Sequence, residues 1–355
     1  MTPPPASARQ GGLPGELSET HRDLLALCAL RINDKSVDWS LLARTCQSAA
    51  DIEATLEGNI QEQSEAAQEN LPILRTALTH LVEARHRVAI ELEAAELAGA
   101  RIITVLDDAY PANLRVVPDR PPFLFYLGDL SGADRRSVAV VGTRGATEDG
   151  IRRAKRMSEG LVAADVAVYS GLALGIDSAA HMAALDAGGR TVAVLGHGIA
   201  SKIYPTANEM LAKRIVREGG ALFSQFWPLS NPARWTFPRR NVVTSGSALG
   251  SIVIEASRTS GAKMQARIAY EHGKRVFLLR SLVEQESWAA KMVAARRAVV
   301  VATLDDVLGH LDSAPAVLAR AEEPYHQRPR SARGATGAPR GGVRAGPPNR
   351  PAGRD

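Results

Sequence analysis

The chain has 355 residues, of which 45% are hydrophobic and 23% charged, a composition that suits a globular protein long enough for two domains. No apolar run approaches the roughly 20 residues with which a helix crosses a bilayer, and no membrane partner is expected. The net charge of +5 is unevenly placed: residues 231–280 hold nine Lys/Arg against Glu255 and Glu271, residues 328–355 hold seven arginines against Asp355, and the remainder is acidic. Positive charge focused in this way suits a polyanionic partner.

The opening MTPPPASARQGGLPG has no apolar stretch after its first basic residue, so it is no secretory signal. Residues 1–19 are expected to be a disordered leader, and the cytoplasm is the expected compartment. Residues 20–100 are predicted to form a small helical domain. In its second half Leu74, Ala77, Leu78, Leu81, Val82 and Arg85 recur at helical spacing, and Gly99 supplies a stop. Cys28 and Cys46 lack the spacing of a zinc site and read as buried thiols, with no metal. Residues 101–136, broken by Pro111, Pro118, Pro121 and Pro122, are predicted to be a connecting segment with one or two short strands.

From residue 137 to 312, short apolar runs alternate with helical patterns. The runs cover 138–142, 166–171, 191–196, 221–226, 251–256, 275–280 and 298–302. Helices are predicted between them at 149–164, 177–187, 207–218, 240–248, 262–272 and 286–296. Nearly continuous apolar strands alternating with helices specify an α/β fold, a Rossmann-like doubly wound parallel sheet. Residues 313–355, rich in Gly, Pro, Ala and Arg, are expected to be a disordered basic tail.

Ligands of such a sheet bind outside the carboxyl ends of the strands, so the loops there carry the chemistry. The first, GTRGATEDG (142–150), offers Gly142 for a tight turn, Thr143, and Arg144 as a planar fork for phosphate, ahead of a helix start that can seat an anion. It is neither a dinucleotide fingerprint nor a Walker A loop, and no cofactor is expected. The second, SGLALGIDSAAH (170–181), places Ser170 and Gly171 on a floor of small residues, with Asp177 expected as the next helix's N-cap and His181 packed against it. Ser170 is the expected hydrogen-bond donor to a phosphate. The third, LGHGIASKIYP (195–205), strips side chains from a strand end at Gly196 and Gly198, and His197 stays open between ligand contact and loop residue. The fourth, WPLSNPARWTFPRRN (227–241), interleaves Trp235 and Phe237 with Arg234, Arg239 and Arg240, a pattern for stacking bases and neutralising phosphates. In the fifth, Ser260 and Gly261 precede a helix that carries Lys263 and Arg267, and Glu255 either meets a ribose or fixes the loop.

The ordered set GTR, SGLALGID..AH, VAVLGHG…YP, FPRRN, V.EAS..SGA and VF, preceded by DDAYPANL…PPFLFYLGDL, resembles the DprA/Smf family of DNA-processing proteins over residues 20–312. The resemblance implies a non-enzymatic protein of DNA recombination and natural transformation. Such a protein binds single-stranded DNA, hands it to a RecA-type recombinase and works as a homodimer. Arg144 and the FPRRN segment, with Phe237, Arg239, Arg240 and Asn241, fall on the family's DNA-binding positions. Ser170, Gly171 and Lys263 lie near the same pocket. The alternative on the same fold is a nucleotide-sensing or nucleotide-processing protein, for example in phage defence or of the phosphoribohydrolase kind. That enzyme group's Pro-Gly-Gly-x-Gly-Thr loop is missing here.

Overall fold

The computed structural model describes residue 13 and residues 16–33, 35–257 and 260–311. Most of the expected leader and the whole of the expected tail, residues 313–355, lie outside the described residues. The chain opens with α1 (Glu19–Ala29), a small hairpin of β1 (Arg31–Ile32) and β2 (Lys35–Ser36), then α2 (Trp39–Thr45), α3 (Ala49–Leu56), α4 (Glu65–Ala77) and α5 (Leu81–Leu97). Ser18, Asp38, Ser48 and Ser64 cap α1 to α4 by accepting from first-turn amides.

The helical pattern through Leu74–Arg85 is not one helix. A 3-10 turn at Leu78–His80 separates α4 from α5 and shifts the buried face, so Val82 is 78% exposed while Ala84 and Val88 are buried. A three-residue 3-10 turn advances the chain by a different angle per residue than an α-helix, and a stripe drawn through it loses its phase. Cys28 and Cys46 are buried free thiols, and burial raises the pKa of each.

Next come β3 (Arg101–Thr104), α6 (Ala112–Arg115) and β4 (Phe123–Gly128). The alternating region follows as β5 (Ser137–Val141), α7 (Glu148–Ala163), β6 (Ala167–Ser170), α8 (Ile176–Asp186), β7 (Thr191–Val194), α9 (Glu209–Arg217) and β8 (Ala221–Ser224). It continues through α10 (Thr236–Ser247), β9 (Gly250–Val253), α11 (Gly261–Glu271) and β10 (Arg275–Leu279). It closes with α12 (Arg280–Gln285), α13 (Ser287–Ala294), β11 (Val299–Val301) and α14 (Leu304–Leu308).

One nine-stranded sheet holds the molecule, in the order β11-β10-β9-β5-β6-β7-β8-β4-β3. Seven of these strands are parallel, and every residue of β5, β6, β7, β8 and β9 is buried. Strands covered on both faces read as unbroken apolar runs, which is why the pattern was legible. The connecting segment does more than pack on this sheet. β4 pairs antiparallel with β8 and β3 with β4, extending the sheet at that edge.

Two helices differ from expectation. α10 starts at Thr236, four residues early, so Phe237–Asn241 stand on its first turns and not in a loop. Pro238 reads as a loop signal, but a proline in the first helical turn costs no hydrogen bond, because those amides have no intrahelical acceptor. The helix expected at 286–296 is α13, and α12 at Arg280–Gln285 is an additional short helix before it.

The chain leaves β5 toward β6, β7 and β8, then returns to β9 on the other side of β5. This reversal makes the gap between β5 and β9 the topological switch point. The helical segment is tied to the sheet by aromatic packing: the Trp39 ring lies 4.9 Å from Phe123 and 5.9 Å from Trp227. On the opposite side Arg190 grips Asp134 with two nitrogens at 2.6 and 2.7 Å and donates to the carbonyls of Asp129 and Gly219. It thereby ties the entries of β5, β7 and β8 together. Arg190→Ala leaves a largely buried carboxylate unpaired and is expected to lower stability by about 3 kcal/mol, read from urea denaturation.

Candidate nucleic-acid interface

Glycines bring the strand-end loops together. Gly142 has no room for a side chain: a Cβ would lie 2.3 Å from Ile176 and 2.9 Å from the Glu255 carbonyl. Gly175 takes φ +78 at the start of α8, with the Thr143 and Arg144 carbonyls where a Cβ would project. Gly196 faces the Phe237 ring, and Gly171 faces the Arg240 guanidinium, whose Nη1 lies 1.1 Å from an ideal Cβ position. Loops after β5, β6 and β7 therefore close around the first turns of α10.

Two arginines meet there. Arg144 is exposed and places its guanidinium 5.3 Å from the centroid of the Phe237 ring. Arg240 is buried. Its Nη1 makes a long hydrogen bond to the Val194 carbonyl at 3.5 Å, the Asp177 carboxylate stands off at 3.9 Å, and its Nε has no partner. Burial pushes the Arg240 pKa down from the usual arginine range; Asp177 opposes this, and the Arg144 charge adds to the lowering. A desolvated guanidinium short of acceptors, with a second cation near enough to lower its pKa, is chemistry that can seat an anion.

Tyr204 extends the seat. Its ring is 43% exposed and lies 5.7 Å from Phe237, so Arg144, Phe237 and Tyr204 make one continuous face. Sequence reasoning passed over Tyr204; the available signal was an aromatic residue closing a glycine-rich strand-end loop. Trp235 is 42% exposed beside Phe226, with exposed Arg234 next to it.

Several residues have other employment. Ser170 is buried and its hydroxyl donates to the Val140 carbonyl at 2.7 Å, so it has no proton for a phosphate. The Gly171 N–H donates to Asp177. Asp177 is not the N-cap of α8, a position held by Gly175; it lies inside the helix and reaches back to pin the preceding loop. The hydrogen bond of His181 goes not to Asp177 but to Thr191 Oγ1, at 2.7 Å. The Thr191 hydroxyl is itself a donor to Val168, so the proton is on His181 Nδ1. His197 is buried, bonded to the Gly198 carbonyl and the Tyr204 N–H, and is a loop residue. Thr143 is half-buried and spends its N–H on the Glu255 carbonyl.

The helix start of α7 is filled from within. The Glu255 carboxylate accepts from the Thr147 hydroxyl at 2.8 Å and the Thr147 N–H at 3.3 Å, over the space left by Gly150. Glu255 thus fixes the loop. A crevice of about 570 Å³ opens beside it at the switch point, but Glu148, Asp149, Glu255 and Glu286 outnumber Arg152 and Arg153 on its walls. That charge is unsuited to phosphate.

The structure does not gather all the remaining candidates at the Arg144–Arg240 seat. Successive helical residues project roughly 100° apart. Arg239 is half-buried, and its charge reaches Asp119: burial raises the Asp119 carboxyl, but a 2.8 Å bond to His272, the His272 charge and, least, the Arg239 charge bring it below the usual range. Asn241 lies four residues from Phe237 on the same side of α10. Ser260 caps α11 through the Ala262 N–H, and Gly261 and Lys263 are exposed on its first turn. Among the described residues no hydrogen bond, ion pair or ring contact joins these three to Arg144 or Phe237.

The sequence model of the DNA recombination-mediator protein A family matches residues 101–312, more than half of the chain. This protein belongs to that family. Its relatives include the DNA processing protein DprA of Streptococcus pneumoniae, 37% identical over 210 residues that make up 59% of this chain and 73% of the relative. They also include the Smf proteins of Synechocystis, 35% identical over 63% of this chain and 57% of the relative, and of Escherichia coli, 38% identical over 58% and 55%. The match thus spans little more than half the length of the two Smf proteins. In structure it resembles Streptococcus pneumoniae DprA, with a TM-score of 0.63 and 28% identity over 83% of this chain and 99% of the other. The fold is also that of Helicobacter pylori DNA processing protein A, described for its single-stranded DNA binding mode (TM-score 0.51, 23% identity, 56% and 91% covered).

In this family member the Asp and His of the second loop are structural, and their effects are measurable. Gly171→Ala drives a methyl group into the Arg240 guanidinium and is expected to cost about 1–3 kcal/mol by overpacking, read by thermal unfolding. Burial, with the Arg240 charge adding, pushes His181 from 6.5 down to about 3. The folded state therefore binds fewer protons than the unfolded chain between those values. Stability is complete above about pH 6.5 and falls as pH drops toward 3, by about 2 kcal/mol at pH 5. Denaturation between pH 7 and 5 should show this loss, and His181→Gln should flatten it.

Proposed function

We propose that this protein binds single-stranded DNA along the strand-end rim, with a backbone phosphate between Arg144 and Arg240. Bases stack on the face made by Phe237 and Tyr204 and on Trp235. Thr143, Arg239, Asn241, Ser260, Gly261 and Lys263 give flanking contacts, and Gly142 and Gly171 keep the rim narrow. As a recombination mediator it passes the bound strand to a RecA-type recombinase, acting as a homodimer in the cytoplasm, with natural transformation as one setting. No catalytic group, metal or cofactor enters this reading.

The observation that carries it is the buried, under-partnered Arg240 beside an exposed Arg144 that lies on an aromatic ring. A guanidinium pair supplies phosphate binding, and an aromatic surface accepts any base, which together suit a strand held without sequence preference. The description of the Helicobacter pylori relative as a single-stranded DNA binder agrees with it.

Fluorescence anisotropy with a short oligodeoxythymidine tests the reading. Affinity should fall with salt at a log–log slope of about −0.7 per phosphate neutralised. Arg144→Ala should lower both affinity and slope, and Phe237→Ala or Tyr204→Ala should each cost about 1–3 kcal/mol. A chain ending at Asp312 should bind with the same pattern. Unchanged affinity in a folded Arg144→Ala/Phe237→Ala protein sinks the reading, and efficient competition by mononucleotides redirects it to a small phosphate ligand.

A further inference from the structure

The stretch that carries Arg234 and Trp235 is held at its far end by the N-terminal helices. Glu91, on α5, accepts the Leu229 N–H at 2.9 Å across 138 residues of sequence. Burial raises the Glu91 pKa, and the Leu229 N–H and the Arg31 charge pull it back. Two residues before Leu229, the Trp227 ring meets Phe123 at 4.8 Å and Trp39, on α2, edge-on at 5.9 Å.

From these anchors the backbone is tied stepwise to the rim. The Pro228 carbonyl accepts from the Ala200 N–H at 3.0 Å and the Ser230 carbonyl from the Gly198 N–H at 2.7 Å. Gly198 is bare because the Trp227 and Pro228 carbonyls lie 2.2 Å from where its Cβ would stand. At the other end the Thr236 hydroxyl donates to the Gly196 carbonyl at 2.5 Å. Between the two ties lie residues 231–235, including exposed Arg234 and Trp235.

We infer that Glu91 is a positioning residue for the DNA-facing stretch, so that the N-terminal helices set how Trp235 is presented to a base. The inference rests on the single-stranded DNA reading and adds a control point outside the rim. Without the carboxylate, Leu229 turns its N–H to water and the stretch gains freedom at one end. Stacking on Trp235 must then order it, and that ordering weakens binding. Glutamine keeps an amide oxygen at the same reach, so it preserves the tie.

The experiment uses the full chain with Glu91→Ala and Glu91→Gln, each alone and combined with Trp235→Ala. Affinity for a short oligodeoxythymidine is read by anisotropy, and amide hydrogen exchange over residues 227–236 is read without DNA. Glu91→Ala should weaken binding about fivefold, the scale of one lost hydrogen bond. It should speed exchange in 227–236 while leaving β6 unchanged. Glu91→Gln should match the unaltered protein, and in the Trp235→Ala background Glu91→Ala should bring no further loss. Unchanged exchange in 227–236, faster exchange throughout the sheet, or the same fivefold loss in both backgrounds overturns the inference. Arg144→Ala separates the two claims: if it leaves affinity unchanged, the rim reading fails, while the exchange measurement still decides whether Glu91 holds the stretch.

Discussion

The rim is organised around one buried guanidinium. Taking a cation out of water costs several kcal/mol even after the protein relaxes, and the cost is offset only by close acceptors. Arg240 has few: a long bond to Val194 and a carboxylate at 3.9 Å. The neighbouring sequence is shaped to admit it regardless. Gly171 gives up its side chain to the guanidinium, and Asp177 is buried with it. Burial raises the Asp177 pKa while the Arg240 charge, its largest opposing influence, draws it down. Arg144 adds a second positive charge, and in the proposed reading a phosphate would supply the acceptors that the protein withholds.

Around that centre the polar atoms of the second loop face inward. Ser170 bonds to β5, His181 through Thr191 to β6, and Asp177 to its own loop. These bonds lock three neighbouring strands and leave the loop without a reactive group. The chemistry arrives from elsewhere: Arg144 from the loop after β5, Tyr204 from the loop after β7, and Phe237 with Arg240 from α10. The result is a floor of bonded polar groups with one buried cation, Arg240, and one exposed cation, Arg144, beside it.

The switch point of a doubly wound sheet is the usual ligand crevice. Here it is closed to anions by the chain's own carboxylate. Glu255 takes the α7 amide and hydroxyl that a phosphate would use, and the acids around it repel a second. The positive rim is displaced one loop further, toward β6, β7 and α10. There it adjoins residues 227–235, which the helical segment steadies through Trp39 and Glu91.

The alternating region was legible because buried parallel strands are continuous apolar runs, and all seven runs coincide with strands of the sheet. The pattern failed where local rules were overridden. Pro238 read as a loop residue although it sits in a helix's first turn, and the stripe through Leu74–Arg85 crossed an unmarked 3-10 turn. The antiparallel addition of β4, and of β3 through it, depends on β8 about 100 residues away, which no local window contains. By itself, the sequence determined the strand-helix alternation, the glycines at the strand ends and the cations near them, since each is a property of residue type and spacing. Only the tertiary structure decided that Arg240 is buried while Arg239 is only half-buried, that Ser170 is spent on the sheet, and that Tyr204 joins Phe237. A side chain's direction follows from which elements pack beside it, and crossovers set that packing across the whole fold.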